Sequence, residues 1–159
     1  MTVNSQHAPL IGWFQQQQTP PGWFDLLTIM IDGMVRNVGQ VESQPFLRQM
    51  GETLAAQFPL PPAETVGELE ANINAQLRHF GWGFIDIEAS DTGLTLRHQA
   101  MPISRHEEQQ TRWCHAFCAI LEGLYASWLQ GQGGEAHVAL QRERLNSLSD
   151  VLFRYHNPQ

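Results

Sequence analysis

At 159 residues the chain is long enough for one domain with a substantial core, and its 42% hydrophobic and 9% aromatic content argues against wholesale disorder. Charged residues make up only 16%, against about 25% in an average soluble domain; glutamine fills much of the gap, and so uncharged a surface suits burial in an assembly. The net charge of −7 argues against nucleic acid or anionic lipid as the main partner, and every cationic side chain is arginine, which excludes a Walker-type phosphate loop, a Schiff-base enzyme and a Ser-Lys hydrolase.

The first residues, MTVNSQHAPLIGWFQQQQ, show no basic region followed by an apolar one, so they do not read as a secretory signal. No apolar run reaches the ~20 residues that span a bilayer. Cys114 and Cys118 stand one helical turn apart, where a disulfide would be strained, so both are expected as free thiols and the protein is expected in the cytoplasm.

Residues 1–22 read as an irregular N-terminal segment carrying two Gly-Trp-Phe triplets, and residues 23–159 as a single domain. From Trp23 to Val38 apolar residues fall on nearly every side: Phe24, Leu27, Ile31, Met34 and Val35 on one stripe, Leu26 and Met30 on another. This predicts a helix buried on more than one face, closed by Gly39. A second helix is expected after Ser43 as N-cap, with Pro45 in its first turn and Leu47, Met50, Leu54 and Phe58 at helical spacing. Thr65-Val66-Gly67-Glu68 reads as a capping box, opening a third helix that turns Val66, Leu69, Ile73, Leu77 and Phe80 inward and ends at Gly81.

The period then changes to two. Ile85 and Ile87 alternate with Asp86 and Glu88, SDTG turns the chain, and Leu94, Leu96 and His98 alternate with Thr95 and Arg97, which predicts a β-hairpin. A long helix from about Glu107 to Gln130 follows, then two short strands near 136–142 and 150–156. This order gives an α+β fold, several helices packed with a small antiparallel sheet of about four strands. The long helix is apolar over an unusually wide arc. Leu121, Leu124, Tyr125 and Trp128 are therefore expected at an interface between copies of the chain.

Few residues suggest chemistry. Cys114, His115, Cys118 and Glu122 resemble a metal-ligand set, but His115 points about 100° away from Cys114 on a helix, and buried cysteines acting as small apolar residues are the stronger reading. Asp86 and Glu88 share one strand face like two carboxylates flanking a sugar, against the simpler reading of a solvated face. His98, Arg105 and His106 flank one loop without a nucleophile motif. No cofactor or metal is expected. Trp13, Phe14, Trp23 and Phe24 are the best glucan-contact candidates, since aromatic faces stack on pyranose rings; the alternative is that they pin the chain end to the core or to a neighbouring subunit. Gly81-Trp82-Gly83 runs from helix to strand, the reverse of a dinucleotide loop. It reads as a structural joint in which Gly81 takes the left-handed cap, Trp82 folds over the helix end and Gly83 starts the strand.

The joint in its setting, PLPPAETVGELEANINAQLRHFGWGFIDIEASDTGLTLRHQAMP at 59–102 with LEGLYASW at 121–128, resembles the D-subunit family of bacterial cellulose synthase. The likeness rests on the proline-rich stop, the T-V-x-x-L helix start, the G-W-G joint, the hairpin, a following His and Pro, and the L-E-G-L-Y-x-x-W helix. It covers roughly residues 45–130. The resemblance implies a non-catalytic accessory protein that forms a cylindrical homo-octamer, a tetramer of dimers, with internal passageways for glucan chains. It further implies work with the inner-membrane cellulose synthase complex, in some systems beside a proline-rich scaffold protein, promoting crystalline cellulose from the cytoplasmic or the periplasmic side. By the same resemblance the N-terminal segment, with Trp13, Phe14, Trp23 and Phe24, lies towards the passageway. Two readings follow: an oligomeric scaffold for cellulose synthases, or a module that contacts nascent glucan through those aromatics. A glycosidase acting through Asp86 and Glu88 is a distant third.

Overall fold

The computed structural model describes residues 21–134 and 138–156. Helix α1 runs Trp23–Val38 and α2 Gln40–Gln57, joined at Gly39 alone. Gly39 takes φ 106°, open to glycine and strained for other residues, and this break starts α2 earlier than expected. Ser43 lies inside the helix rather than capping it, its side chain buried and its hydroxyl donating back to Gly39 O at 2.6 Å. Pro45 consequently sits in the second turn, where the helix forgoes one hydrogen bond.

Helix α3 runs Val66–Phe80 as expected. Thr65 Oγ1 accepts from Glu68 N at 3.0 Å, while the Glu68 carboxylate accepts from Glu64 N at 2.8 Å, one residue before the reciprocal partner of a standard capping box. Strands β1 (Phe84–Ser90) and β2 (Gly93–Gln99) form the hairpin. A 3-10 turn at Glu107–Gln109 leads into α4 (Gln110–Gly131), and β3 (Ala139–Ser147) and β4 (Asp150–His156) complete an antiparallel sheet of order β1-β2-β4-β3. The chain is thus α+β with a four-stranded sheet.

Register sorts the sheet's two faces. Ile85, Leu96, Val151 and Phe153 point inward and are fully buried, whereas Asp86, Arg97 and Arg154 point out. In β3 the pairing shifts between Arg142 and Arg144, so Arg142 lies opposite inward-facing Phe153 and Arg144 opposite outward-facing Leu152. A bulge with one extra residue breaks the alternation and sends the two arginines to opposite faces.

Helix α4 is the core of the molecule, with α1 and α2 on one side and β3 and β4 on the other. Its wide apolar arc has its cover within the same chain. Leu121, Leu124 and Tyr125 are 0% exposed and Trp128 3%, which corrects the interface expectation at these residues: side chains sealed by their own chain have no surface to offer a second copy.

Candidate functional site

The two stretches singled out in the sequence, the G-W-G joint and the L-E-G-L-Y-x-x-W helix, meet in space. Gly81 adopts φ 76°, ψ 35°, and its N–H bonds to Leu77 O at 2.8 Å, as does that of Trp82 at 3.0 Å. The Trp82 ring lies 4.9 Å from Phe80 and 4.9 Å from Phe117 of α4. At Gly83 (φ 93°) a Cβ would fall 2.1 Å from Gln99 O, so no larger residue lets the strand start this close to its neighbour.

Behind the joint, His98 is fully buried. One ring nitrogen lies 2.6 Å from Trp82 O and the other bonds the Tyr125 hydroxyl. Since a carbonyl can only accept, Nε2 carries the proton and Nδ1 takes the tyrosine O–H. Burial lowers the His98 pKa to about 4, partly offset by the Trp82 carbonyl, and burial likewise raises that of Tyr125. The pair is a neutral strut between sheet, joint and α4.

Glu122, also buried, accepts from Arg48 Nε of α2 at 2.9 Å and from Arg142 Nε of β3 at 3.0 Å. Arg142 continues to His115 Nδ1 at 3.0 Å, and its charge joins burial in lowering the His115 pKa. The carboxylate is therefore committed to arginines. Cys114 and Cys118 are buried free thiols; the hydrogen bond between them, reinforced by burial, holds Cys118 in its thiol form. No group of three or more potential ligands forms a metal cluster among the described residues. Gly123 lets α2 approach, and Trp128 Nε1 donates to Phe58 O at 2.9 Å. Each distinctive residue of the helix motif thus holds α4 to its neighbours.

The glucan-contact candidates divide. Trp13 and Phe14 lie outside the described residues. Phe24 is 8% exposed and meets Trp113 edge-on at 5.3 Å, so packing withdraws it from any ligand, a correction to the expected role. Trp23 is 79% exposed. It heads a stripe at helical spacing, Trp23, Leu26, Leu27 and Met30, that faces out of α1, while Phe24, Thr28, Ile31 and Val35 face in. The second face of α1, expected to be buried, is left exposed by the other described residues, and Val41 and Phe46 of α2 are exposed too. Asp86 and Glu88 are exposed on the outer sheet face. Arg105 and His106 meet Asp25 of α1 at 3.2 and 4.0 Å, clear of His98, so the three do not form one site.

Sequence reasoning missed the ion pairs that cross between elements: Glu122 with Arg48 and Arg142, and buried Asp32 of α1 with Arg112 of α4. Their only sequence signal was a charged residue within an otherwise apolar stripe, as at Asp32 and Glu122.

No described helix is long and apolar enough to cross a membrane. In comparison with known proteins, the chain is 31% identical over 100 residues to "Cellulose synthase operon protein D" of Komagataeibacter xylinus, covering 61% of this chain and 62% of that one. A protein of the same description from Komagataeibacter sucrofermentans is 30% identical over 91 residues, covering 55% and 56%. The matched region thus spans little more than half the length of these curated relatives. The cellulose synthase D-subunit family matches residues 9–156, nearly the whole sequence, and the chain belongs to that family.

Proposed function

We propose that this protein is a non-catalytic accessory subunit of the cellulose synthase machinery, acting as a self-assembling scaffold that helps organise export and crystallisation of cellulose. The observation that carries the reading is the outward stripe of α1. Trp23, Leu26, Leu27 and Met30 are 79%, 49%, 42% and 62% exposed, and exposed apolar clusters of this kind mark contact surfaces. A second copy of the chain is the occupant we assign, with an octamer built as a tetramer of dimers as the expected assembly.

The non-catalytic reading draws on how the buried ionisable groups are used. His98 is bound to Trp82 and Tyr125, Glu122 to two arginines and Asp32 to Arg112, all as struts between elements. We place the scaffold beside the inner-membrane synthase on its cytoplasmic side, where two free thiols one turn apart on α4 are at home; a proline-rich scaffold protein is a further partner on this reading.

The test is the molar mass of the purified protein by light scattering behind size-exclusion chromatography. A mass near eight chains supports the scaffold; a stable monomer overturns it. The exposure of Trp23 favours one second reading, glucan contact by the N-terminal aromatics. Loss of cello-oligosaccharide affinity in Trp13→Ala and Trp23→Ala proteins of unchanged mass would support it, and a parent protein without such affinity would remove it.

A further inference from the structure

The outer face of the sheet holds a depression of about 630 Å³ whose floor crosses all four strands, a width of roughly 14 Å at ordinary strand spacing. Register arranges its side chains in rows. Asp86 lies opposite Arg97, Arg97 opposite Leu152 and Leu152 opposite Arg144; in the next row Glu88 lies opposite Thr95. Some of these groups are fixed in place. Asp150 grips Arg97 through two hydrogen bonds of 3.2 and 2.7 Å, and Glu70 at the wall accepts from Ile87 N at 2.8 Å. Others are held less tightly: Asp86, Glu88 and Arg144 form no ion pair within 4 Å among the described residues, although Asp86 acts through space on Arg97 and Arg144 on Asp150. Arg144 reaches this face only because of the β3 bulge, a device that re-aims side chains at binding surfaces.

We infer that this depression is a binding groove for a short stretch of β-linked glucan, distinct from the N-terminal aromatics. Several ligand classes fit poorly. Carboxylates from Asp86 and Glu88 repel an anion, while Arg97 directly opposite Asp86 opposes a metal cation. Exposed charges of both signs with hydrogen-bonding capacity to spare suit neither the core of a protein interface nor a lipid surface. They suit a neutral chain with many hydroxyls, each able to donate to a carboxylate and accept from a guanidinium. Half-buried Leu152 supplies an apolar floor amid these polar groups, and exposed Phe84 stands on the same face one row along. A flat β-linked chain, apolar on its ring faces and polar along its edges, matches that pattern. The choice of glucan rests on the cellulose reading above; the groove chemistry alone specifies a flat neutral polyol.

The test is titration of the full-length protein with cellohexaose, followed by amide shifts and by calorimetry, with maltohexaose as the coiled α-linked comparison. The groove predicts shifts at Asp86, Thr95, Arg97 and Arg144, and weaker response to maltohexaose. A doubly substituted Asp86→Ala, Arg144→Ala protein should bind about tenfold more weakly, as loss of one or two hydrogen bonds implies, with unchanged mass and circular dichroism because both side chains face solvent. Absence of binding at millimolar cellohexaose, equal affinity in the double variant, equal binding of maltohexaose, or shifts confined to α1 would each overturn the groove. The scaffold reading stands or falls separately, on the molar mass.

Discussion

Gly51 of α2 and Gly123 of α4 sit where the two helices cross in backbone contact. A Cβ on Gly51 would lie 1.9 Å from Ile120 O, and one on Gly123 would lie 1.9 Å from Arg48 O. Backbone cannot step aside as a side-chain tip can, so Gly51→Ala must push the helices apart. The expected cost is about 1–3 kcal/mol, read as a lower midpoint in urea. Gly33→Ala supplies the control, since nothing lies within 4 Å of the added carbon; there the better helix propensity should leave stability equal or up to about 1 kcal/mol higher. Equal midpoints for Gly51→Ala and the parent would refute the close crossing.

His98 carries a pH dependence of definite sign. Its folded pKa, about 4 against an ordinary 6.5, is lowered by burial, so between these values the unfolded chain binds a proton that the folded chain refuses. Stability from the neutral ring is therefore fully present above pH 6.5 and is lost as pH falls towards 4, by roughly 3 kcal/mol in all. His98→Gln, which cannot titrate, should flatten this part of the stability profile relative to the parent. Parallel profiles between pH 4 and 6.5 would mean that His98 is not buried neutral.

At the scale of elements, the legible parts are those fixed by local chemistry. Thr65 and Glu68 announce the start of α3, Gly81 its end, and the alternation of Ile85 with Asp86 the face of β1. The start of α2 is hidden because Ser43 and Pro45 are ordinary helix-start residues; the actual break is the backbone of Gly39, whose effect depends on where α1 packs. Less visible still is how α3 guards the sheet. Asn74 donates to Ile85 O at 3.0 Å and accepts from Ile85 N at 2.7 Å, and Glu70, one turn earlier, takes Ile87 N. Together they occupy the edge of β1 as a further strand would. Asn74→Ala should leave both polar groups of Ile85 without this partner and cost about 1–2 kcal/mol. The Ile85 amide should then exchange faster with deuterium than its neighbours within β2. Unchanged protection at Ile85 would show that the edge does not depend on Asn74.

At the scale of the molecule, the wide apolar arc of α4 and the two apolar faces of α1 pose the same question in the sequence and receive opposite answers in space. Composition alone could not separate them, because both helices read as apolar over more than one face; only the packing order shows that α4 lies in the middle and α1 at the outside. This difference makes the site of assembly testable. Leu124 is fully buried, so Leu124→Asp places a charge in the core without a partner and should abolish folding, seen as loss of the cooperative thermal transition. Leu26 and Met30 are 49% and 62% exposed, so Leu26→Asp combined with Met30→Asp should leave each subunit folded but reduce the mass of the assembly. An unchanged mass with native circular dichroism would place the contact elsewhere than on α1. Loss of folding in the α1 double variant would show instead that the stripe is needed within the subunit itself. A folded protein of lower mass would locate self-association on the face of α1 that the described residues leave exposed.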